Sequence, residues 1–339
     1  MLRFWTRNVP HMGLSHPFVL HFVLALAAFH LAYLGKREIR PDDILKSSLR
    51  PRRSPSGYLT IAQKHFTAGV SGFSSQLSEP SPDNCGALYL GAVLTSYCTF
   101  ADGPTSRDDL LVCTGKPEGG GHCDSENAET GPAAAASFSS PNSQMPFVFG
   151  VRLMHQSFSS DVLFAGLMEP LLPGPLPPLE NPIYARDDFS RLDWEEALDG
   201  LKEFIASEGK ARDGTPTRLE RHPAEKLSLK ALDDLIGIYA AIYGRRGPEG
   251  EIMCNGPPQN QFVFGWLYRV QLEFAGCVRR HDPYALLVLA HFAVLLDQTT
   301  IQKGWYIEGW KKHIVARVGE LLSGGRYSEW TRWPIEQAV

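Results

Sequence analysis

Adjacent acids are the first groups in this sequence whose type and spacing could do chemistry: Asp42-Asp43, Asp108-Asp109, Asp187-Asp188 and Asp233-Asp234. A metal-dependent diphosphate site needs further carboxylates one helical turn on, and no pair has a nearby third acid of the DDxxD kind. Acids so placed suit the first turns of helices, where they oppose the positive end of the helix dipole. Cys113, His122 and Cys123 sit close together in a Gly-rich stretch but are one ligand short of a closed zinc site. The six cysteines include no CxxC pair and read as reduced thiols. There is no phosphate-cradling GxxxxGK[ST], no GxGxxG after a strand, no GxSxG and no HExxH. Histidines 16, 21, 30, 65, 155, 291 and 313 lie in or beside apolar helical stretches. There they read as hydrogen-bonded core residues, since a general base also needs a positioned partner.

The aromatics form a second group. Phe262, Phe264, Trp266 and Tyr268 cluster together, Trp305, Tyr306 and Trp310 open the last long helical stretch, and Trp330 and Trp333 end it. Indoles are large and apolar with one donor, so they suit either the wall of a lipophilic pocket or the gaps between packed helices.

Positioning these residues requires helices. Pro17–Leu34 is a near-continuous apolar run, close to bilayer-spanning length, but His21 and His30 inside it favour a buried core helix over stable membrane insertion. Tyr58–Leu77 carries apolar residues at Leu59, Ala62, Phe66, Val70, Phe73 and Leu77, the spacing of an amphipathic helix. Cys85–Phe100 is apolar nearly all round and therefore central. Phe147–Ser159 predicts another helix. In the second half, WEEALDGLKEFIAS, LSLKALDDLIGIYAAIYG with a Ser228 cap, FVFGWLYRVQLEFAGCVRR, DPYALLVLAHFAVLLDQ and WYIEGWKKHIVARVGELL each read as helical. No run alternates as strands do. The expectation is an all-α, irregular domain of about eight to ten helices spanning residues 1–339 with a lipophilic pocket. Within it, residues 115–144 form a flexible insertion, and the Pro-rich 170–182 stretch connects two halves.

The chain has 339 residues, 43% hydrophobic content and a formal charge of -4. That charge supplies no pull toward phosphate backbones, so direct nucleic-acid binding is not expected. The small basic cluster Arg50, Arg52 and Arg53 reads as a solvated loop.

Taken together, HPFVLHFVLALAAFHLAYL, YLTIAQKHFTAG, CGALYLGAVLTSYCTF, PFVFGVR, HDPYALLVLAHFAVLL, WYIEGWKKHIV and EWTRWPIE resemble the regulatory, ligand-sensing part of fungal zinc-cluster transcription factors of the sterol uptake control type. The resemblance implies a helical domain in the nucleus or cytoplasm. It would bind a sterol or related hydrophobic molecule without a cofactor, and would pair with itself or with a DNA-binding relative. On that basis the expected pocket wall is Phe264, Trp266, His291, Trp305 and Trp310. The family places a CxxCxxxxxxC zinc cluster ahead of this domain, and no residue here can carry that role. Three readings follow: a truncated reading frame, a regulator acting through a partner, or a recruited binding protein or enzyme. The enzyme would be a cofactor-independent cyclase or isomerase of a polyketide or terpenoid intermediate, assembled from groups such as His21, His30, His291 or Asp297.

Overall fold

Proline at the first helical position, behind a capping side chain, starts two of the principal helices. Ser54 caps the helix that begins at Pro55, its hydroxyl accepting from the Gly57 amide at 3.2 Å. Asp282 accepts from the amides of Tyr284 and Ala285 at 3.0 and 3.2 Å ahead of Pro283. Both devices satisfy donors that a helix start otherwise leaves open.

The computed structural model describes residues 2–37, 54–111, 146–172, 183–184, 192–211, 223–248, 250–254, 263–270, 272–296 and 304–338. The Arg50–Arg53 cluster, Asp42-Asp43, Cys113, His122, Cys123, the 115–144 stretch, most of the proline run, Asp187-Asp188, Phe262 and Asp297 lie outside them.

The architecture is all-α. Contacts divide the chain into two compact units. The first comprises Met1–Thr105, Glu118–Pro175 and the short segment Gly304–Glu308. It contains α1 (Val9–Ser15), α2 (Pro17–Arg37), α3 (Pro55–Leu77), α4 (Cys85–Asp102), α5 (Pro146–Ser157) and α6 (Ser160–Leu163). The long helix α2 is apolar enough to span a bilayer by length and composition, with 44% of its most apolar window buried inside the molecule. Its buried side, Phe18, Val19, Phe22, Ala25 and Phe29, packs against α3 and α4. The fully buried Phe and Val side chains among them each contribute roughly 1.5–3 kcal/mol of transfer free energy.

Close approach in this core depends on small residues. A Cβ added at Gly91 of α4 would meet Phe18 Cε2 at 2.7 Å and Phe73 Cδ2 at 2.9 Å. Both rings are fully buried, so Gly91→Ala is expected to introduce about 1–3 kcal/mol of overpacking strain. The gain in helix propensity, about 1 kcal/mol, does not offset it. The variant should melt below the parent in a thermal scan.

The second unit comprises Ser106–Pro117, Leu176–Lys303 and Gly309–Val339. It contains α7 (Glu195–Ala211), α8 (Pro223–Tyr243), α9 (Phe264–Arg269), α10 (Leu272–Arg279), α11 (Pro283–Val294), α12 (Trp310–Leu321) and α13 (Arg332–Ala338). Its centre is α11, in which every residue from Tyr284 to Val294 is buried; α8, α10, α12 and α13 pack around it. Three strands of two or three residues, β1 (Ile183–Tyr184), β2 (Arg245–Arg246) and β3 (Ile252–Cys254), pair antiparallel in the order β1-β3-β2. They are too short to give an alternating sequence signal.

Three local expectations need correction. Ser228 is not a cap, because α8 starts at Pro223 and leaves Ser228 inside the helix, fully buried. The 262–280 stretch is two helices, broken where Val270 takes an extended conformation (φ -58°, ψ 131°). Trp305 and Tyr306 do not open the last long helix. They form a separate 3-10 turn, and α12 starts at Trp310 after Gly309 adopts a left-handed φ of 89°.

Candidate functional site

Of the five residues expected to wall a pocket, four belong to the second unit and one to the first. Trp266 is fully buried, stacks on Phe292 with ring centroids 4.2 Å apart, and donates its indole N–H to the Ala231 carbonyl at 2.9 Å. Phe264 and Trp310 are likewise buried in the packed interior. Trp305, in the first unit, is half-buried and stacks on His30 of α2 at 4.7 Å, with Tyr33 at 5.6 Å. His291 alone of the five lines a cleft in the second unit.

That cleft is formed by α7, α11, the 3-10 turn Ser328–Thr331 and α13, with a volume of about 200 Å³. Ala197, His291, Trp330 and Trp333 supply its apolar lining, and Glu329, Arg332 and Glu336 its charged part. Trp330 stacks on Phe204 of α7 at 4.8 Å. Trp333 lies nearly parallel to the His291 ring, centroids 5.5 Å apart at 12°, and donates its N–H to the Asp193 carbonyl at 3.2 Å. Arg332 and Glu336 pair at 3.0 Å, one helical turn apart.

The electrostatics turn on His291. Burial holds its pKa down at about 4, against a smaller upward effect of the Leu287 carbonyl. The ring is therefore neutral near pH 7. Its Nδ1 lies 2.8 Å from that carbonyl, which can only accept, so Nδ1 carries the proton. Nε2 is then a lone-pair acceptor, and no described residue donates to it. The backbone carbonyl of His291 is held by the Tyr239 hydroxyl at 2.7 Å. Burial raises the Tyr239 pKa well above its usual value, so that hydroxyl remains a donor. What results is an aromatic slot with the neutral His291 Nε2 acceptor on its wall, beside the charged groups of Glu329, Arg332 and Glu336.

Among the described residues, the other titratable groups do not assemble a catalytic set. Asp108 is bound by Arg317, which also bonds Glu320. Asp109 accepts from the Ser106 amide, and Asp233 pairs with Lys202 at 2.7 Å. His21 and His65 share an Nδ1–Nδ1 hydrogen bond of 2.9 Å between α2 and α3. Burial, then His21 and Lys64, push the His65 pKa down. Among the described residues no three His, Cys, Asp or Glu side chains gather as metal ligands.

Trp330 and Trp333 carry the cleft although they were not in the expected wall. Their spacing of three places them on one side of the turn into α13, a signal that was readable in WTRW. The chain matches no protein-family model, no curated protein and no solved structure.

Proposed function

We propose that this chain is a ligand-sensing helical regulatory module of the zinc-cluster transcription-factor type, which takes a flat, apolar, hydroxyl-bearing molecule such as a sterol. The observation that carries the reading is the neutral His291 ring, its Nε2 unclaimed by any described residue, set beside the Trp330 and Trp333 rings. A ligand hydroxyl would donate to Nε2 while its rings cover the indoles, pairing an apolar body with one orienting polar group. A volume of about 200 Å³ accommodates one end of such a molecule; pockets that enclose a drug-sized ligand run to about 300–1,000 Å³. Ligand binding would bias the closing helices α11–α13, and through them a partner that contacts DNA.

A pKa of about 4 makes His291 a poor general base near neutrality, since an efficient base has a pKa near the working pH. Binding is therefore favoured over cyclase or isomerase chemistry.

Titration with ergosterol, followed by tryptophan emission, tests the reading. Saturable quenching is expected. Trp333→Ala should abolish it; because the ring also stacks on His291 and donates to the Asp193 carbonyl, binding is read at a temperature where circular dichroism shows the variant folded. His291→Phe keeps the apolar bulk and removes the acceptor, and should weaken binding about tenfold, the worth of one neutral hydrogen bond. Equal affinity for ergosterol and its 3-keto analogue would remove hydroxyl recognition, and absence of any binding would remove the sterol reading.

A further inference from the structure

His21 of α2 and His65 of α3 stand 44 residues apart in the chain, yet their Nδ1 atoms lie 2.9 Å from each other. The ring centres are 5.1 Å apart and the planes cross at 38°, so the imidazoles meet at their nitrogen corners and not face to face. Close packing of the two helices holds this meeting in place. A Cβ added at Gly69, one helical turn beyond His65, would fall 2.8 Å from the ring of Phe22, the neighbour of His21. Phe22 is fully buried, so the core sets the separation of α2 and α3 at this level.

A neutral imidazole has one protonated nitrogen and one bare one. Two facing Nδ1 atoms therefore share a single proton, and with that proton moved to Nε2 both lone pairs are free for one ion. Metal–imidazole bonds are about 2.0–2.1 Å long. At that length two ligands at a right angle on one ion stand about 2.9 Å apart, whereas two corners of a tetrahedron stand about 3.3 Å apart. Burial, His21 and Lys64 already hold the His65 ring below its usual pKa, toward the neutral form that a metal requires. Neither helix contains an aspartate or glutamate. Oxygen-seeking Ca2+ or Mg2+ finds no carboxylate on them, whereas imidazole suits Cu2+, Ni2+ and Zn2+.

We propose that His21 and His65 are a two-imidazole site for a divalent ion of square-planar or tetragonal preference, Cu2+ or Ni2+, whose remaining positions are taken by water. Both residues are half-buried, which leaves solvent a way in. Binding transfers the shared proton to Nε2 of its own ring, so two neutral histidines take up the ion without net proton release. The ion straps α2 to α3 and couples the stability of the first unit to metal concentration, since whatever binds the folded state alone stabilises it. The site lies in the unit that does not contain the His291 cleft, so it stands or falls independently of ligand binding there.

Calorimetric titration of the full chain with Ni2+ and Cu2+ tests the site. One tight ion per chain is expected, Cu2+ held more strongly than Ni2+, with no uptake of Mg2+. His65→Asn is the decisive variant, because its amide can still bond His21 but is a poor ligand for these metals. It should fold like the parent by circular dichroism, bind the ion about a hundredfold more weakly, and lose the rise in melting temperature that Ni2+ gives the parent. His21→Asn should behave in the same way. His11→Asn, exposed and outside the pair, should bind like the parent. Should the asparagine variants fail to fold, paramagnetic resonance of the parent's Cu2+ form decides, and coupling to two imidazole nitrogens is expected. A parent that takes up neither ion, or a Cu2+ spectrum with fewer than two such nitrogens, would overturn the proposal. Equal affinity in H65N and the parent would also do so, leaving the pair as a hydrogen bond between helices and the ion on another histidine.

Discussion

Alanine at Trp266 is expected to destabilise the second unit by about 3–5 kcal/mol, the range for removing a large buried aromatic. The indole is inaccessible to solvent, stacks on Phe292 and meets the edge of Phe274 at 5.8 Å. Stacked and edge-to-face aromatic pairs add about 0.5–1.5 kcal/mol beyond the area they bury. The lost N–H also takes a partner from the Ala231 carbonyl. Trp266→Phe, which keeps a ring and removes only that donor and some volume, should cost distinctly less. Urea unfolding of both variants checks the order. If W266A unfolded like the parent but no longer bound ergosterol, the indole would be a ligand wall rather than a core strut.

The second large effect is acid lability centred on His291. An unfolded histidine takes up its proton near pH 6.5, whereas the folded one is held to about 4. Between those values the unfolded chain binds more protons, so stability rises with pH there. The contribution is fully present above about pH 6.5 and is lost as pH falls toward 4. Its size is about 3 kcal/mol, because each pH unit separating the folded from the unfolded value is worth about 1.36 kcal/mol. His291→Phe cannot titrate. Its unfolding free energy should therefore fall less than the parent's between pH 7 and pH 4.5, by roughly 2–3 kcal/mol. Parallel curves for the two proteins would show that the imidazole is protonated in the folded state.

The helical fold was legible because its signals are local. Periodicity over Tyr58–Leu77 and the Asp282-Pro283 start each act within a few residues of chain. The break at Val270 was hidden because no glycine or proline marks it, and the surrounding packing rather than propensity sets that extended residue. The site was legible by composition only. Trp266 and Trp333 are the same residue type; what distinguishes strut from wall is whether Phe292 or a cleft lies against the ring, a long-range fact. Trp305 is separated from the other candidates for the same reason: its partners, His30 and Tyr33, lie some 270 residues earlier.

That placement of Trp305 bears on how the chain is made. The first unit takes most of its residues from before Pro175, yet Trp305 and Tyr306 complete its aromatic surface against His30, Tyr33 and Tyr97. On a ribosome adding about 5–20 residues per second, that surface is synthesised on the order of ten seconds before its cover. During that interval His30 and Tyr33 of α2 and Tyr97 of α4 lack the rings that later lie against them, so this part of the first unit can close only after nearly the whole chain has been made.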